Sequence, residues 1–278
     1  MPNDPLVCAV MLVAGRDEMV KRALRSYEAQ TYRNKWLVVL DSGRTVGRNP
    51  VHISGMFTHV IISDQERTIG ALRNCANEIA CDEVRGARAE IIVTFDSDDW
   101  SHPNRIAEQV ALLRSSGADA VGYSDLLFWD TRHHIDAPDH GPGMLAVKVA
   151  NAAWLYTRSS HFTVPGTTLA YWRRTWEQKQ FPDLPNAQCQ FGEDNVWQSG
   201  LKIAAPSSIP IPPAWDLRES VMAEVQSRRE YVPRMIASVH GSNTQAANYQ
   251  KIGIAKEWVR RPEWDAYCRR QMALEVKA

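Results

Sequence analysis

The chain has 278 residues, 44% hydrophobic and 23% charged, which is enough for a large core and rules out wholesale disorder. Lys+Arg and Asp+Glu both number 32, so the formal net charge is zero, and the globally basic surface that nonspecific nucleic-acid binding relies on is excluded. The five cysteines, Cys8, Cys75, Cys81, Cys189 and Cys268, are scattered with no CxxC pair, which argues against a zinc knuckle or a disulfide framework and for reduced thiols.

The chain starts Met-Pro-Asn-Asp-Pro, without the basic start and long apolar stretch of a signal peptide. Val7 to Ala14 is apolar throughout, the pattern of a strand buried on both faces, and too short to span a bilayer. A cytoplasmic protein is expected, or one that visits a membrane only at its surface. Asp17 to Gln30 places Met19, Val20, Ala23, Leu24 and Tyr27 on one helical face. Trp36 to Leu40 reads as a second buried strand ending in the turn signal Asp41-Ser42-Gly43. His59 to Ile62 reads as a short strand, Thr68 to Cys81 as a helix, and Ile91 to Phe95 as a strand ending at Asp96. Ser101 or His102 is positioned to cap a helix with Pro103 in its first turn and Ile106, Val110 and Leu113 as its apolar stripe.

This alternation predicts an α/β fold: a Rossmann-like, mainly parallel sheet flanked by helices. Ligands of such sheets bind beyond the carboxyl ends of the strands, a rule that puts Ala14, Gly15, Asp41 and Asp96 on one rim. The second half is less regular. Asp130 to Gly143 reads as a loop, Gly166 to Arg173 as a strand, and Gly192-Glu193-Asp194 as the start of a helix through Leu201. Ala205 to Pro213 reads as extended. The tail from Glu219 reads as helix in pieces, broken by Pro233, Gly241 and Pro262.

Asp96, Asp98 and Asp99 put three carboxylates within four residues at a strand end. They repel one another, and a cation among them relieves the repulsion. Mg²⁺ and Mn²⁺ prefer oxygen ligands and bridge to phosphates, so a phosphate-gripping metal site is the favoured reading over a simple turn. With these residues in hand, the chain from 7 to about 200 resembles family 2 glycosyltransferases of the GT-A fold. The similarity rests on Val7-Cys8-Ala9-Val10-Met11-Leu12-Val13-Ala14, Leu37-Val38-Val39-Leu40-Asp41-Ser42-Gly43, Gly70-Ala71-Leu72-Arg73-Asn74, Phe95-Asp96-Ser97-Asp98-Asp99 and Gly192-Glu193-Asp194, in that order.

That resemblance implies a nucleotide-sugar donor, UDP-linked by preference, with Mn²⁺ or Mg²⁺ as cofactor. It assigns Asp41 to the donor base and Arg73 to the nucleotide. Asp96 goes to the ribose or the metal, and Asp98 to the metal directly. Asp194 becomes the general base that deprotonates the acceptor hydroxyl, and Glu193 orients the acceptor. The dipole of their helix lowers carboxylate pKa, so a base there needs burial to offset it. His240, before Gly241-Ser242-Asn243-Thr244, is a candidate further metal ligand, because a neutral imidazole suits Mn²⁺. His133, His134, His140 and His161 lack ligand spacing. Most of the ten Trp read as core, with Trp100, Trp154, Trp172 and Trp197 near the site segments.

Val13-Ala14-Gly15-Arg16 departs from the family's usual Pro-Thr-Tyr, which leaves the donor's base open. The absence of Gln-x-x-Arg-Trp favours one transfer per binding event. The expected organisation is a catalytic domain over 1–215, with a nucleotide-binding half to about 125 and an acceptor half over 126–215. A helical extension over 216–278 completes it. An inverting, single-displacement transfer follows. A sugar-nucleotide pyrophosphorylase lacks its Gly-rich basic loop here, and a haloacid-dehalogenase phosphatase wants its motif after the first strand. A catalytically inactive nucleotide-sugar-binding module is the non-enzyme alternative. A glycan, lipid-linked sugar, protein, small molecule or modified nucleic acid all suit the acceptor. The Arg260-Arg261 and Arg269-Arg270 pairs read as solvated helix surface or as a basic patch for an anionic partner.

Overall fold

In the computed structural model, residues 4–42, 57–61, 67–82, 88–131, 134–136, 147–149, 151–157, 163–185, 192–209, 232–240, 252 and 257–273 are described. Their elements begin β1 (Val7–Val13), α1 (Asp17–Glu28), β2 (Lys35–Asp41), β3 (Phe57–Ile61), α2 (Ile69–Cys81), β4 (Ile91–Thr94), β5 (Trp100–Ser101), α3 (Arg105–Ser116) and β6 (Ala120–Val121). There follow β7 (Asp125–Asp130), β8 (His134–Asp136), β9 (Val147–Val149), β10 (Ala152–Thr157), a 3₁₀ turn at Gly166–Thr168, β11 (Ala170–Trp172), α4 (Arg173–Gln178) and α5 (Gly192–Gln198). The last are β12 (Ile203–Ala204), β13 (Met235–Val239), β14 (Trp258–Arg260) and α6 (Asp265–Met272).

Two compact units result. One joins Met1–Ser124 to Ser160–Pro206, and the other joins Asp125–Ser159 to Ser207–Ala278. The sequence divides the chain near 125 and 215; contacts return 160–206 to the first unit.

In the first unit a seven-stranded sheet runs β12-β6-β11-β4-β1-β2-β3. β1 pairs in parallel with β2 and β4, β2 with β3, and β6 with β12, whereas β11 is antiparallel to both neighbours. The apolar runs that predict doubly buried strands behave that way. Alternate residues of β1 point to opposite layers. Val7, Ala9, Met11 and Val13 pack with Val20, Ala23 and Leu24 of α1 and with Ile106, Val110 and Leu113 of α3. Cys8 and Val10 pack with Leu72, Ala76 and Ala80 of α2 and with Trp197 of α5. Each large apolar side chain contributes about 1.5–3 kcal/mol on full burial, so the two layers fix the strand ends that carry the site.

Thr68 caps α2, its hydroxyl accepting from the Ala71 amide at 3.2 Å. The expected cap of α3 differs. Ser101 is occupied instead by the Arg105 guanidinium at 3.0 Å, and His102 Nδ1 accepts the Asn104 amide at 3.1 Å one residue ahead of the helix. Gly117, left-handed with φ 61°, ends α3. The expected strand from Gly166 starts later, at Ala170, because Gly166–Thr168 forms a 3₁₀ turn closed by the Thr168 amide on Pro165 O at 2.9 Å.

In the second unit β7 is flanked by antiparallel β10 and parallel β13, with β14 antiparallel beyond β10. β8 and β9 form an antiparallel pair, and β8 falls within the region expected to be a loop. The tail is less helical than expected. Met235-Ile236-Ala237-Ser238-Val239 is buried throughout and forms a strand, as a short apolar run does when both faces are covered. Arg260 is pinned by Asp265, with Nη1 to Oδ1 at 2.7 Å, and lies over the Trp154 ring, whereas Arg269 and Arg270 are exposed on α6. No described helix is long and apolar enough to cross a membrane.

Candidate functional site

The rim forms because β1, β2 and β4 end together. Val13 sits beside Asp41 and Val10 beside Thr94. The Phe95 amide donates to Val10 O at 2.9 Å, which carries the strand one residue further and delivers Asp96 to the edge. Beyond β1, Gly15 and Arg16 adopt successive left-handed conformations, φ 77° and 70°, and turn the chain into α1. Glycine takes this geometry without strain; arginine does not. Ala14 is exposed and Gly15 half-buried. Asp41 is fully buried, and Gly43 of its turn lies outside the described residues.

The Asp96–Asp99 loop is held by guanidiniums that sequence reading passes over. Arg16 Nη1 pairs with Asp98 Oδ2 at 2.9 Å, and Arg22 Nη2 donates to the Asp98 carbonyl. Thr167 Oγ1 donates to Asp99 Oδ2 at 2.5 Å. Beneath the loop, Arg105 is fully buried and donates to Thr94 O at 2.8 Å, Thr167 O at 2.8 Å and Gln109 Oε1 at 3.2 Å. Burial pulls the pKa of Arg105 down while Tyr123, Asp96 and Asp99 support its charge; burial pulls Arg22 down against Asp99 and Asp98. Burial, joined by the charge of Asp98, pushes the Asp96 carboxyl above its usual range against the pull of Arg73. The repulsion that points to a metal in the sequence is therefore offset in part by the protein's own cations.

Across the site, α2 meets α5. Arg73 Nε donates to Glu193 Oε1 at 2.9 Å, with side-chain exposures of only 10% and 7%. Burial works against the Arg73 charge, but the fields of Glu193, Asp96 and Asp194 outweigh it and raise the pKa above the ordinary arginine value. Asp194 packs on Gly166: a Cβ there would lie 2.5 Å from Asp194 Oδ2. Gly166 in turn accepts through its carbonyl from Thr94 Oγ1 at 2.7 Å, which ties the α5 carboxylate to the end of β4. Gln198 fastens α5 to the same segment, donating to Val164 O at 2.9 Å and accepting the Val164 amide at 2.7 Å. Trp197 is fully buried, with ring centroids 4.7 Å from both Tyr171 and Phe181, as its core reading anticipates. α2 can approach because Gly70 has no Cβ; one would overlap the Pro182 carbonyl oxygen.

The structure thus gathers Asp96, Glu193 and Asp194 around the buried Arg73 guanidinium, with Asp98 on the same loop as Asp96. Asp41, Ala14 and Gly15 lie at neighbouring strand ends. His240, buried at the end of β13, belongs to the second unit, and Gly241–Thr244 are outside the described residues. Sequence reading misses Arg16, Arg22, Arg105, Gly166 and Thr167. An arginine among apolar neighbours, as in Val20-Lys21-Arg22-Ala23-Leu24, is the available signal for Arg22.

Among the described residues no group of three or more His, Cys, Asp or Glu is arranged to hold a metal ion. The donors do not form a closed protein cage. They fit an ion that takes one or two carboxylates and completes its shell with phosphate oxygens and water. Asp98, whose side chain is 15% exposed, presents an oxygen donor at this edge.

Residues 8–133 match the sequence model of a family described as glycosyl transferase family 2. No curated protein matches the chain in sequence. Among solved structures, S. aureus TarS 1-349 in complex with UDP-GlcNAc aligns at TM-score 0.55 and 13% identity, over 87% of this chain and 60% of that one. The same protein with UDP aligns at 0.52 and 12%, over 84% and 60%. The mannosyltransferase PcManGT from Pyrobaculum calidifontis, in complex with GDP-Man and Mn2+, aligns at 0.50 and 15%, over 98% and 70%. This chain spans 60% of the TarS 1-349 structure. At such identities the likeness is one of fold, and it agrees with the GT-A architecture expected from the sequence.

Proposed function

We propose that the chain moves a single sugar from a nucleotide-sugar donor to an acceptor hydroxyl, with inversion at the anomeric carbon, a reading supported by the match of residues 8–133 to the model of glycosyl transferase family 2. The observation that carries this reading is the Gly166–Thr167 turn, which packs on Asp194 of α5 and holds Asp99 of the carboxylate loop at 2.5 Å, with Glu193 paired to Arg73 at 2.9 Å. An in-line displacement needs carboxylates on the donor side, able to hold an ion for the leaving diphosphate, and a base on a different element for the acceptor. UDP is the expected nucleotide; GDP is the other candidate, since the similar mannosyltransferase holds GDP-Man.

Asp194 acts as the general base, taking the acceptor proton as the oxygen attacks. Gly166 lets the carboxylate sit close to the end of β4, where the residue is 8% exposed. Glu193, fixed by Arg73, orients the acceptor. Arg73 is assigned to the donor nucleotide, and its Nε holds Glu193 at 2.9 Å. Asp41 is assigned to the donor base, a role that requires its buried carboxylate to become reachable. Asp98 and Asp96 would hold Mn²⁺ or Mg²⁺. When bound, the ion supplies Lewis-acid neutralisation of the departing diphosphate. The protein is assigned to the cytoplasm or the surface of a membrane.

A thermal-shift screen of UDP-, GDP-, ADP- and CMP-sugars, with and without Mn²⁺, tests the donor assignment by mass action. One donor is expected to raise the melting temperature in a metal-dependent way that Asp98→Ala abolishes. Absence of stabilisation by any of them overturns the assignment.

A further inference from the structure

Asp98 already has a cation. Arg16 Nη1 lies 2.9 Å from Asp98 Oδ2, and the pair stands at the edge of the site, with side-chain exposures of 24% and 15%. The loop beneath is secured separately. Arg22, only 4% exposed, holds the Asp98 carbonyl, Thr167 holds Asp99, and the Asp99 amide closes the turn on Asp96 O at 3.4 Å. The Asp98 side chain can therefore change partners without the loop unfolding. Arg16 is mounted for such an exchange. It adopts φ 70°, costly for a residue with a Cβ, immediately after left-handed Gly15, where β1 turns into α1. Backbone outliers of this kind concentrate where a protein stores a conformational choice.

We propose that Arg16 is a place-holding cation. It neutralises Asp98 until a divalent ion arrives with a diphosphate, and it then releases the carboxylate to the ion and pairs with the diphosphate. This rests on the metal and donor reading above. Its consequence is coupling: free metal must compete with a guanidinium for Asp98, whereas metal with a nucleoside diphosphate need not, because the diphosphate offers Arg16 a second anion. A planar guanidinium suits both, since carboxylate and phosphate each match its donor fork. Coupling of this kind is reciprocal, so Arg16 strengthens nucleotide binding by the factor with which nucleotide strengthens metal binding.

The experiment measures Mn²⁺ affinity by electron paramagnetic resonance of the free ion, for wild type, Arg16→Gln, Arg16→Lys and Asp98→Ala, with and without saturating UDP. Arg16→Gln is expected to bind Mn²⁺ alone about two- to fivefold more tightly than wild type, the worth of an exposed ion pair. With UDP present the gain is expected to vanish or reverse. Arg16→Lys, which keeps the charge, is expected to stay near wild type, and that separates competition from a change in folding. Equal Mn²⁺ affinity of Arg16→Gln and wild type without UDP overturns the place-holding role while leaving the metal site intact. Unchanged Mn²⁺ affinity in Asp98→Ala removes the metal reading itself, and the proposal falls with it.

Discussion

Replacing Arg73 with methionine keeps much of the side-chain volume and removes a guanidinium whose charge acts on Glu193, Asp96 and Asp194. The Arg73–Glu193 pair is 2.9 Å long, and both side chains are at most 10% exposed. Breaking one side of a buried pair leaves an uncompensated charge and costs about 3–5 kcal/mol. A domain of this size loses about 2–4 °C per kcal/mol, so the melting temperature should fall by about 6–20 °C. The double variant Arg73→Met/Glu193→Gln removes both charges and should regain most of the loss, because replacing a whole pair is far less costly than halving it. The pH dependence has a definite sign. The pKa of Arg73 is raised in the folded chain, so its contribution is complete below the unfolded arginine value and is lost only as pH climbs from there through the higher folded value. The destabilisation should therefore not depend on any Arg73 titration between about pH 6 and 9. Thermal unfolding of the full chain, followed by near-ultraviolet circular dichroism, reads all of this. A drop under about 2 °C for the single variant, or a double variant no better than the single, would refute the buried-pair reasoning.

Gly166→Ala puts a Cβ 2.5 Å from Asp194 Oδ2, so the carboxylate must move; turnover should fall by about 10²-fold, with donor affinity unchanged in a titration. Trp197→Ala empties a fully buried site between Tyr171 and Phe181 and should cost about 3–5 kcal/mol in urea unfolding. Arg105→Met leaves the Thr94 and Thr167 carbonyls without their shared donor and should cost about 1–3 kcal/mol for each, measured by the same unfolding transition.

The first half of the fold is legible because its strands are doubly buried and its helices amphipathic. β1, β2, β4, α1, α2 and α3 fall close to where the periodicities put them. The chain's return is not legible. β11 is three residues long and runs antiparallel between β4 and β6, and nothing in Ala170-Tyr171-Trp172 states which sheet it joins. β13 is hidden by Pro233, which reads as a helix breaker but stands just before a strand. In the site, the carboxylates are visible because three in four residues is unusual, and their meeting with Glu193 follows from long-range packing through Gly70 and Gly166. The arginines are invisible because sequence counts them as surface. Arg22 and Arg105 are only 4% and 0% exposed, an environment set by elements tens of residues away. The mutual repulsion of Asp96, Asp98 and Asp99 reads in sequence as a demand for metal; Arg16 and Arg22 meet part of it.

The central claim is that the Asp96–Asp98 loop and Asp194 serve one displacement. Its most direct test is the rate of nucleoside diphosphate release from the stabilising donor, in wild type and Asp194→Asn, with donor affinity measured on the same samples. The variant should bind donor within about twofold of wild type and release diphosphate about 10²–10⁴-fold more slowly in the presence of acceptor. Release at the wild-type rate from the variant would contradict it.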